Sequence, residues 1–465
     1  MDLRKRARGR SRSDPARFKR ESSEGTRVMS APTPAADAVP LTQRRDFWVL
    51  MAYAVALGVF GALVGLLFIG VIGVGDNWFT SSDFGWFGGD WWWVAVTAVA
   101  GLVVGVLHHL TRLPEQTPGL IADLQEEYVD PRLVPGIVVV SAVSLIGGAS
   151  LGPEKALGVL GGGAASWSSK RRGLDAEDQA ASTLSGFAGA YGGLFSSTVI
   201  VVMMILEIAR PGGAKLTKAL VGAIVASSIS FGIYFAIAGS FFLDAYQVPS
   251  FKYEDWQLLA GVGFGLLAAI IVTLLAVFVK LAMVLFARVK PIVLRATIGG
   301  VVFGLVGVAL PLTMFTGSEQ LKGVVSGAGT LGVGLLVALV IGKIITFAVC
   351  QASGFVGGPI FPALFIGGTA GVGVHEVFNS VPLGLAFTCL FAAVPGAVVA
   401  APFSMVLVAA FMTQVGALQT APILIAVITA YLVIEGVKYF LTGRKKEAAA
   451  AAKGWRPRSD DRQGV

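Results

Sequence analysis

Apolar positions in this chain come in long blocks, without the short-period alternation of a soluble protein. Charge-free stretches cover residues 47–75, 133–153, 179–206, 219–243, 256–279, 296–318 and 323–342. A helix of about 20 apolar residues crosses a bilayer, and each block is near or above that length. Residues 377–434 carry no charged side chain over 58 positions, room for at least two crossings. The pattern predicts an all-α polytopic membrane protein. The first block is too long and too deep in the chain for a signal peptide, so it reads as a retained span. Trp78, Trp86 and Trp91 to Trp93 cluster after it, as aromatic side chains do at a membrane–water interface. The polar, Pro-rich segment TRLPEQTPGLIADLQEEYVDP (111–131) is expected to leave the bilayer at least in part.

Two blocks are interrupted in a way that changes the picture. GGASLGPEKALG (147–158) places Glu154 and Lys155 between uncharged runs, and SGFVGGPIFPALFIGG (353–368) breaks any simple spanning helix with Gly and Pro. Irregular backbone at membrane depth is tolerated where it is buried in protein or lines a cavity. Paired interruptions in corresponding positions point to a transport site between inverted repeats. The likeness of GAYGGLFSSTVIVVMMILE (189–207) to GAVVAAPFSMVLVAAFMTQ (396–414) supports such a duplication. The expected organisation is a basic disordered arm (1–45), a first transmembrane repeat (46–250), a second (251–442) and a basic tail (443–465).

Composition agrees: 55% of residues are hydrophobic, 14% are charged, and the mean hydropathy is +0.76. A soluble domain carries roughly a quarter charged residues. Much of the net charge of +8 lies in the two tails, RKRARGRSRSDPARFKR and RKK…WRPRSDDR, so it reads as solvated charge beside lipid headgroups and not as nucleic-acid binding. The positive-inside rule places both tails in the cytoplasm and makes the number of crossings even. Cys350 and Cys389 are isolated thiols, and His108, His109 and His375 have no ligand spacing. No cofactor, metal or catalytic motif is present, so the reading is not an enzyme.

A helix that begins inside the membrane points free N–H groups and a positive dipole end into its surroundings, which suits an anion. Gly152-Pro153 before Glu154 and Gly357-Gly358-Pro359 before Ile360 both read as such starts. An ionised Glu154 would compete with a small anion for those N–H groups, and a protonated one would have less reason to stay, giving a gate and a proton carrier in one side chain. The plainer alternative is a salt bridge from Glu154 to Lys155 or Lys343 that only neutralises charge.

These residues resemble the CLC family of chloride channels and proton-coupled anion transporters. Its G-x-E-G-P segment is matched in Gly and Glu by Gly152-Pro153-Glu154-Lys155-Ala156. Its G-K-x-x-T segment leading to G-G-x-F-x-P is similar to Gly342-Lys343-Ile344-Ile345-Thr346 and Gly357-Gly358-Pro359-Ile360-Phe361-Pro362. Spacing and order agree over about residues 47–440. The resemblance implies a homodimer of inverted-repeat subunits in the inner or plasma membrane of a prokaryote, each with its own pore. It implies a small inorganic anion as cargo, Glu154 as the gate, and anion contacts from Gly152, Pro153, Gly358, Ile360 and Phe361.

Several departures are specific to this chain. Lys155-Ala156 replaces Gly-Pro after the glutamate, and Lys155 would either hold the gate ionised or extend to water. The family's first anion motif, G-S-G-I-P, is best placed on Pro114-Glu115-Gln116-Thr117-Pro118. There Glu115 must turn away, and Gln116 or Thr117 would supply the donor. Glu207 falls on a family acid, but Ile208 follows it where proton-exchanging members usually have a second one. Phe411 stands where many members have a glutamate. Tyr431 and Tyr439 are candidates for the pore tyrosine. Passive channel and proton antiporter therefore stay open, with fluoride export and a non-transporting scaffold or sensor as further alternatives.

Overall fold

A computed structural model of the chain describes residues 43–80, 91–115, 117–212, 215–240 and 245–452. The proposed arm (1–45) lies almost wholly outside the described residues, as do Gln116, Trp86 and most of the proposed tail. The described residues from Trp48 onward belong to one compact unit.

Among the described residues the chain forms sixteen α-helices. The first eight are α1 (Arg45–Thr80), α2 (Trp92–Thr111), α3 (Leu120–Gln125), α4 (Val134–Ile146), α5 (Glu154–Arg171), α6 (Ala176–Leu194), α7 (Thr198–Ile208) and α8 (Lys215–Ala238). The second eight are α9 (Trp256–Phe286), α10 (Ile292–Ala309), α11 (Ser318–Ser326), α12 (Val333–Ser353), α13 (Ile360–Val377), α14 (Leu383–Val399), α15 (Pro402–Thr413) and α16 (Thr420–Ala452). Eight helices are long and apolar enough to cross a membrane, and four shorter apolar ones accompany them. The protein is a multi-pass membrane protein.

The two series match in order and in packing. Helix α5 packs on α6 and α6 on α8; α13 packs on α14 and α14 on α16. Helix α2 packs along α10, and α7 along α15, so these partners from the two series meet each other. The α2–α10 contact is close because of glycine. A Cβ on Gly101 would stand 2.3 Å from the Ala296 carbonyl, and one on Gly300 would stand 2.1 Å from the Thr97 carbonyl. Small residues of this kind let backbones in a membrane approach and gain dispersion contacts.

Several apolar blocks break where no charge marks a break. Block 133–153 ends its helix at Ile146, because Gly147 and Gly148 follow and Gly148 has φ +83°. Block 179–206 holds two helices, α6 and α7, parted at Ser196 (φ +48°) and Ser197, whose hydroxyl caps α7 through the Ile200 N–H. Residues 377–434 carry α14, α15 and the start of α16, with Ala400 in the left-handed region between the first two. Lys343 lies in the middle of α12, between blocks that hydropathy separates.

Candidate anion site

The two interrupted segments meet. Gly152 N–H donates to the Gly358 carbonyl at 2.9 Å, and Gly358 N–H donates to the Gly152 carbonyl at 2.8 Å. This isolated antiparallel bridge joins the backbone just ahead of α5 to the backbone just ahead of α13. Each helix has proline at its N-cap, Pro153 and Pro359. Glycine N–H groups are therefore spent on the bridge, and the prolines have none. The first free donor of α13 is the Ile360 N–H, in a fully buried position.

Glu154 takes that donor. Its Oε1 accepts from Ile360 N–H at 2.6 Å, and the Phe361 N–H also bears on the carboxylate. The side chain is fully buried, and Oε2 has no hydrogen-bond partner among the described residues. The carboxylate fits between two glycine α-carbons. A Cβ on Gly358 would lie 2.2 Å from Oε1, and one on Gly152 would lie 1.9 Å from Oε2. Any side chain at either position would expel the carboxylate, which accounts for glycine at both.

Neither lysine neutralises Glu154. Lys155 Nζ donates to Thr117 Oγ1 at 2.5 Å. Lys343 Nζ donates to the carbonyls of Thr313, Met314 and Phe315 at 3.1, 3.2 and 2.8 Å, beneath the Phe365 ring. The salt-bridge alternative is thus corrected for both: adjacent helix positions point apart, and Lys343 holds an irregular segment together. Among the described residues no Lys or Arg lies within ion-pair distance of Glu154. Lys155 also does not extend to water, being 6% exposed.

A cavity of about 310 Å³ abuts the start of α13, with Lys155, Thr117, His108, Gln351 and Pro359 on its wall. His108 is buried and is fixed through Nε2 to the Gly354 carbonyl at 2.8 Å, with Nδ1 unpartnered. Glu115 also lines this cavity, so it does not turn away from it; its carboxylate pairs with Arg295 at 3.1 Å and is 70% exposed. Glu115 and His108 also line a second cleft of about 470 Å³ that carries Arg112 and Lys290. Buried Asp123, on the six-residue α3, which is too short to span, faces the charge of Lys155. Burial pushes its carboxyl up to about 6, against the pull of Lys155.

Other expected residues fall elsewhere. Gln116 lies outside the described residues. Glu207 caps α15: its oxygens accept from Phe403 N–H at 2.6 Å, from Ser404 N–H at 2.8 Å and from the Ser404 hydroxyl. The Tyr431 phenol meets Arg210 at 3.4 Å, and Tyr439 is exposed, so neither joins the group around Glu154. Tyr191 does. It is fully buried on α6, and its hydroxyl donates to the Glu154 carbonyl at 3.0 Å. Gly158 makes room for it, since a Cβ there would stand 2.1 Å from the phenol oxygen. Its place in the repeated GAYGGLF stretch was the available signal, because an aromatic among small residues needs a cleft of its own.

A membrane protein of two matched helix series, meeting at paired broken helices around a buried carboxyl, is built for transport of ions. The voltage gated chloride channel family model matches residues 113–435, and the chain belongs to that family. Its members are transport proteins, not enzymes. The chain is 28% identical over 309 residues to the protein named "Putative ion-transport protein YfeO" of Salmonella newport (strain SL254), covering 64% of this chain and 72% of that one. Its fold is similar to the crystal structure of a slow cyanobacterial Cl⁻/H⁺ antiporter, with TM-score 0.74 and 19% identity over 83% of this chain and 94% of the other. It is also similar to a CLC-type fluoride/proton antiporter, with TM-score 0.70 and 18% identity over 84% and 96%.

Proposed function

We propose that this protein passes chloride or a similar small inorganic anion, and that Glu154 gates the anion position at the start of α13. The observation that carries the reading is the carboxylate seated on the Ile360 N–H, between Gly152 and Gly358, with no Lys or Arg within ion-pair distance among the described residues. A small anion accepts from the same N–H group and fits the same gap once the side chain swings out. The adjoining cavity supplies an approach lined by the cation Lys155 and by Glu115, whose charge Arg295 offsets, with the Thr117 hydroxyl as a further donor. Gly152 and Gly358 act by leaving space, Ile360 and Phe361 by their N–H groups, and Pro153 and Pro359 by starting the helices. Homodimer assembly and cytoplasmic termini accompany this reading.

Proton exchange is the second reading, and the fluoride and chloride antiporters of similar fold motivate it. Glu207 enters an exchanger only if its cap on α15 opens. Asp123, buried beside Lys155, is a further acid near the cavity, whose wall also carries Glu115.

The test is anion efflux from proteoliposomes with external pH recorded, for wild type and Glu154→Ala. Anion flux that changes in the variant supports the gate. Proton uptake accompanying efflux, and lost in the variant, selects exchange. No flux of chloride, bromide, nitrate or fluoride in either protein sinks the transport reading.

A further inference from the structure

The basic stretch at residues 170–172 is not used by the anion site, and its surroundings are specific. We propose that the cleft between the end of α5 and the turn before α4 binds the phosphate of an anionic phospholipid headgroup. The cleft has a volume of about 470 Å³, and Arg132, Lys170 and Arg171 line it with Trp167, Tyr128 and Asp130.

Its position is set by α5. That helix begins in the buried interior at Glu154 and runs 18 residues, about 27 Å, to Arg171. A helix starting near the middle of a hydrocarbon core about 30 Å thick reaches the headgroup level within that length. Trp167 and Tyr128 are 50% and 39% exposed there, as interfacial aromatics are. These aromatics make the site one for a lipid in place, and not for a soluble phosphate.

Its charge is spare. Two neighbouring acids have other partners: Glu127 pairs with Lys215 at 2.6 Å, and Asp178 with Lys218 at 2.5 Å. Asp130 uses Oδ1 on the Arg132 backbone N–H at 3.0 Å. Among the described residues no carboxylate lies within ion-pair distance of Arg132, Lys170 or Arg171. Basic side chains often serve the carbonyls at a helix C-terminus, but here backbone does so: the N–H groups of Arg172, Gly173 and Leu174 already take Ser168, Ser169 and Lys170. Stacking of the Arg171 guanidinium on Trp167, 4.4 Å from the ring centroid, fixes its plane and leaves its N–H edge for phosphate oxygens.

The test uses the purified full-length chain in neutral detergent, with bound lipid counted by native mass spectrometry. Phosphatidylglycerol, phosphatidylcholine and sn-glycerol 3-phosphate are titrated against wild type and the triple variant Arg132→Gln/Lys170→Gln/Arg171→Gln. One phosphatidylglycerol should bind more tightly than phosphatidylcholine. The triple variant should weaken it on the order of 100-fold, since each cation near a membrane surface contributes roughly fivefold. The control Lys322→Gln/Lys438→Gln, at two exposed and carboxylate-paired lysines, should leave binding unchanged. Equal retention by wild type and triple variant overturns the proposal, as does an equal loss in the control. Glycerol phosphate binding as tightly as the lipid overturns the assignment to a headgroup. All substituted side chains are exposed, and an unchanged melting temperature confirms that each variant is folded.

Discussion

Replacing Glu154 by alanine should tighten anion binding by about 10- to 150-fold. The range follows from what holds the carboxylate in place. Its Oε1 accepts a short hydrogen bond from Ile360 N–H at 2.6 Å, the N–H groups of Phe361 and of Glu154 itself also bear on the carboxylate, and among the described residues Oε2 has no hydrogen-bond partner and no Lys or Arg lies within ion-pair distance. A hydrogen bond to a charged group contributes about 1.5–3 kcal/mol net, and about 1.4 kcal/mol is a factor of ten in a dissociation constant. An anion entering wild type must displace that bond; in Glu154→Ala it meets a free N–H. Glu154→Gln should fall between, because the amide oxygen can still accept from Ile360 as a neutral partner at about 0.5–1.5 kcal/mol. Isothermal titration of chloride into purified wild type, Gln and Ala proteins reads the order directly. A second substitution checks that the anion takes the carboxylate's place. A Cβ on Gly358 occupies space 2.2 Å from the Oε1 position, so Gly358→Ala added to Glu154→Ala should abolish the gain. Equal dissociation constants for wild type and Glu154→Ala, with both proteins folded, would refute the reasoning.

Other expectations follow from the charges around the site. Lys343→Met leaves the buried Met314 and Phe315 carbonyls without a donor, at about 1–3 kcal/mol each, and the Thr313 carbonyl with only the long bond from the Thr346 hydroxyl; the yield of folded protein and its melting temperature should drop sharply. Arg112→Glu/Lys290→Glu reverses the two cations of the second cleft, which shares Glu115 and His108 with the cavity. Efflux should slow at low ionic strength and approach wild type at high salt, because screening removes steering; a salt-independent defect would argue against it. For Asp123, whose folded-state carboxyl titrates near 6 and whose ordinary value is 3.8, the folded protein keeps a proton that the unfolded chain has released between about pH 4 and pH 6. Stability therefore declines as pH rises through that window, by roughly 3 kcal/mol at most. Asp123→Asn should remove that decline in melting temperature, and parallel curves for the two proteins would contradict it.

How much of this was legible in sequence depended on the kind of signal. Charge-free length marks spans well, because the cost of charge in hydrocarbon acts on composition alone. It therefore found α1 and α9, but in 377–434, where at least two crossings were expected, one helix long enough to cross begins, α16, and α14 and α15 are shorter. It missed the division of 179–206 into α6 and α7, because that break is made by Ser196 and Ser197 through backbone geometry and a hydroxyl cap, without charge. Gly-Pro placed the starts of α5 and α13 correctly, since proline suits only the first turn. The mutual bridge of Gly152 and Gly358 could not be read, as it pairs segments some two hundred positions apart.

Lys155 shows why side-chain roles were harder than helix starts. Sequence adjacency suggested that it holds Glu154 ionised, yet neighbours on a helix diverge by about 100°, so one lysine and one glutamate in succession serve two different walls. Glu154 points to the Gly152–Gly358 gap, and Lys155 points to Thr117 and the cavity. The substitution in this chain thus places a cation on the cavity wall and, among the described residues, none within ion-pair distance of the carboxylate. If the cation attracts anions, Lys155→Met should weaken chloride binding in the Glu154→Ala background, where the seat is free and the carboxylate no longer masks the effect. Lys155→Arg, which keeps the charge, should restore it. If both substitutions weaken binding alike, Lys155 acts by filling space and positioning Thr117, and the attraction rests on the α13 amides alone.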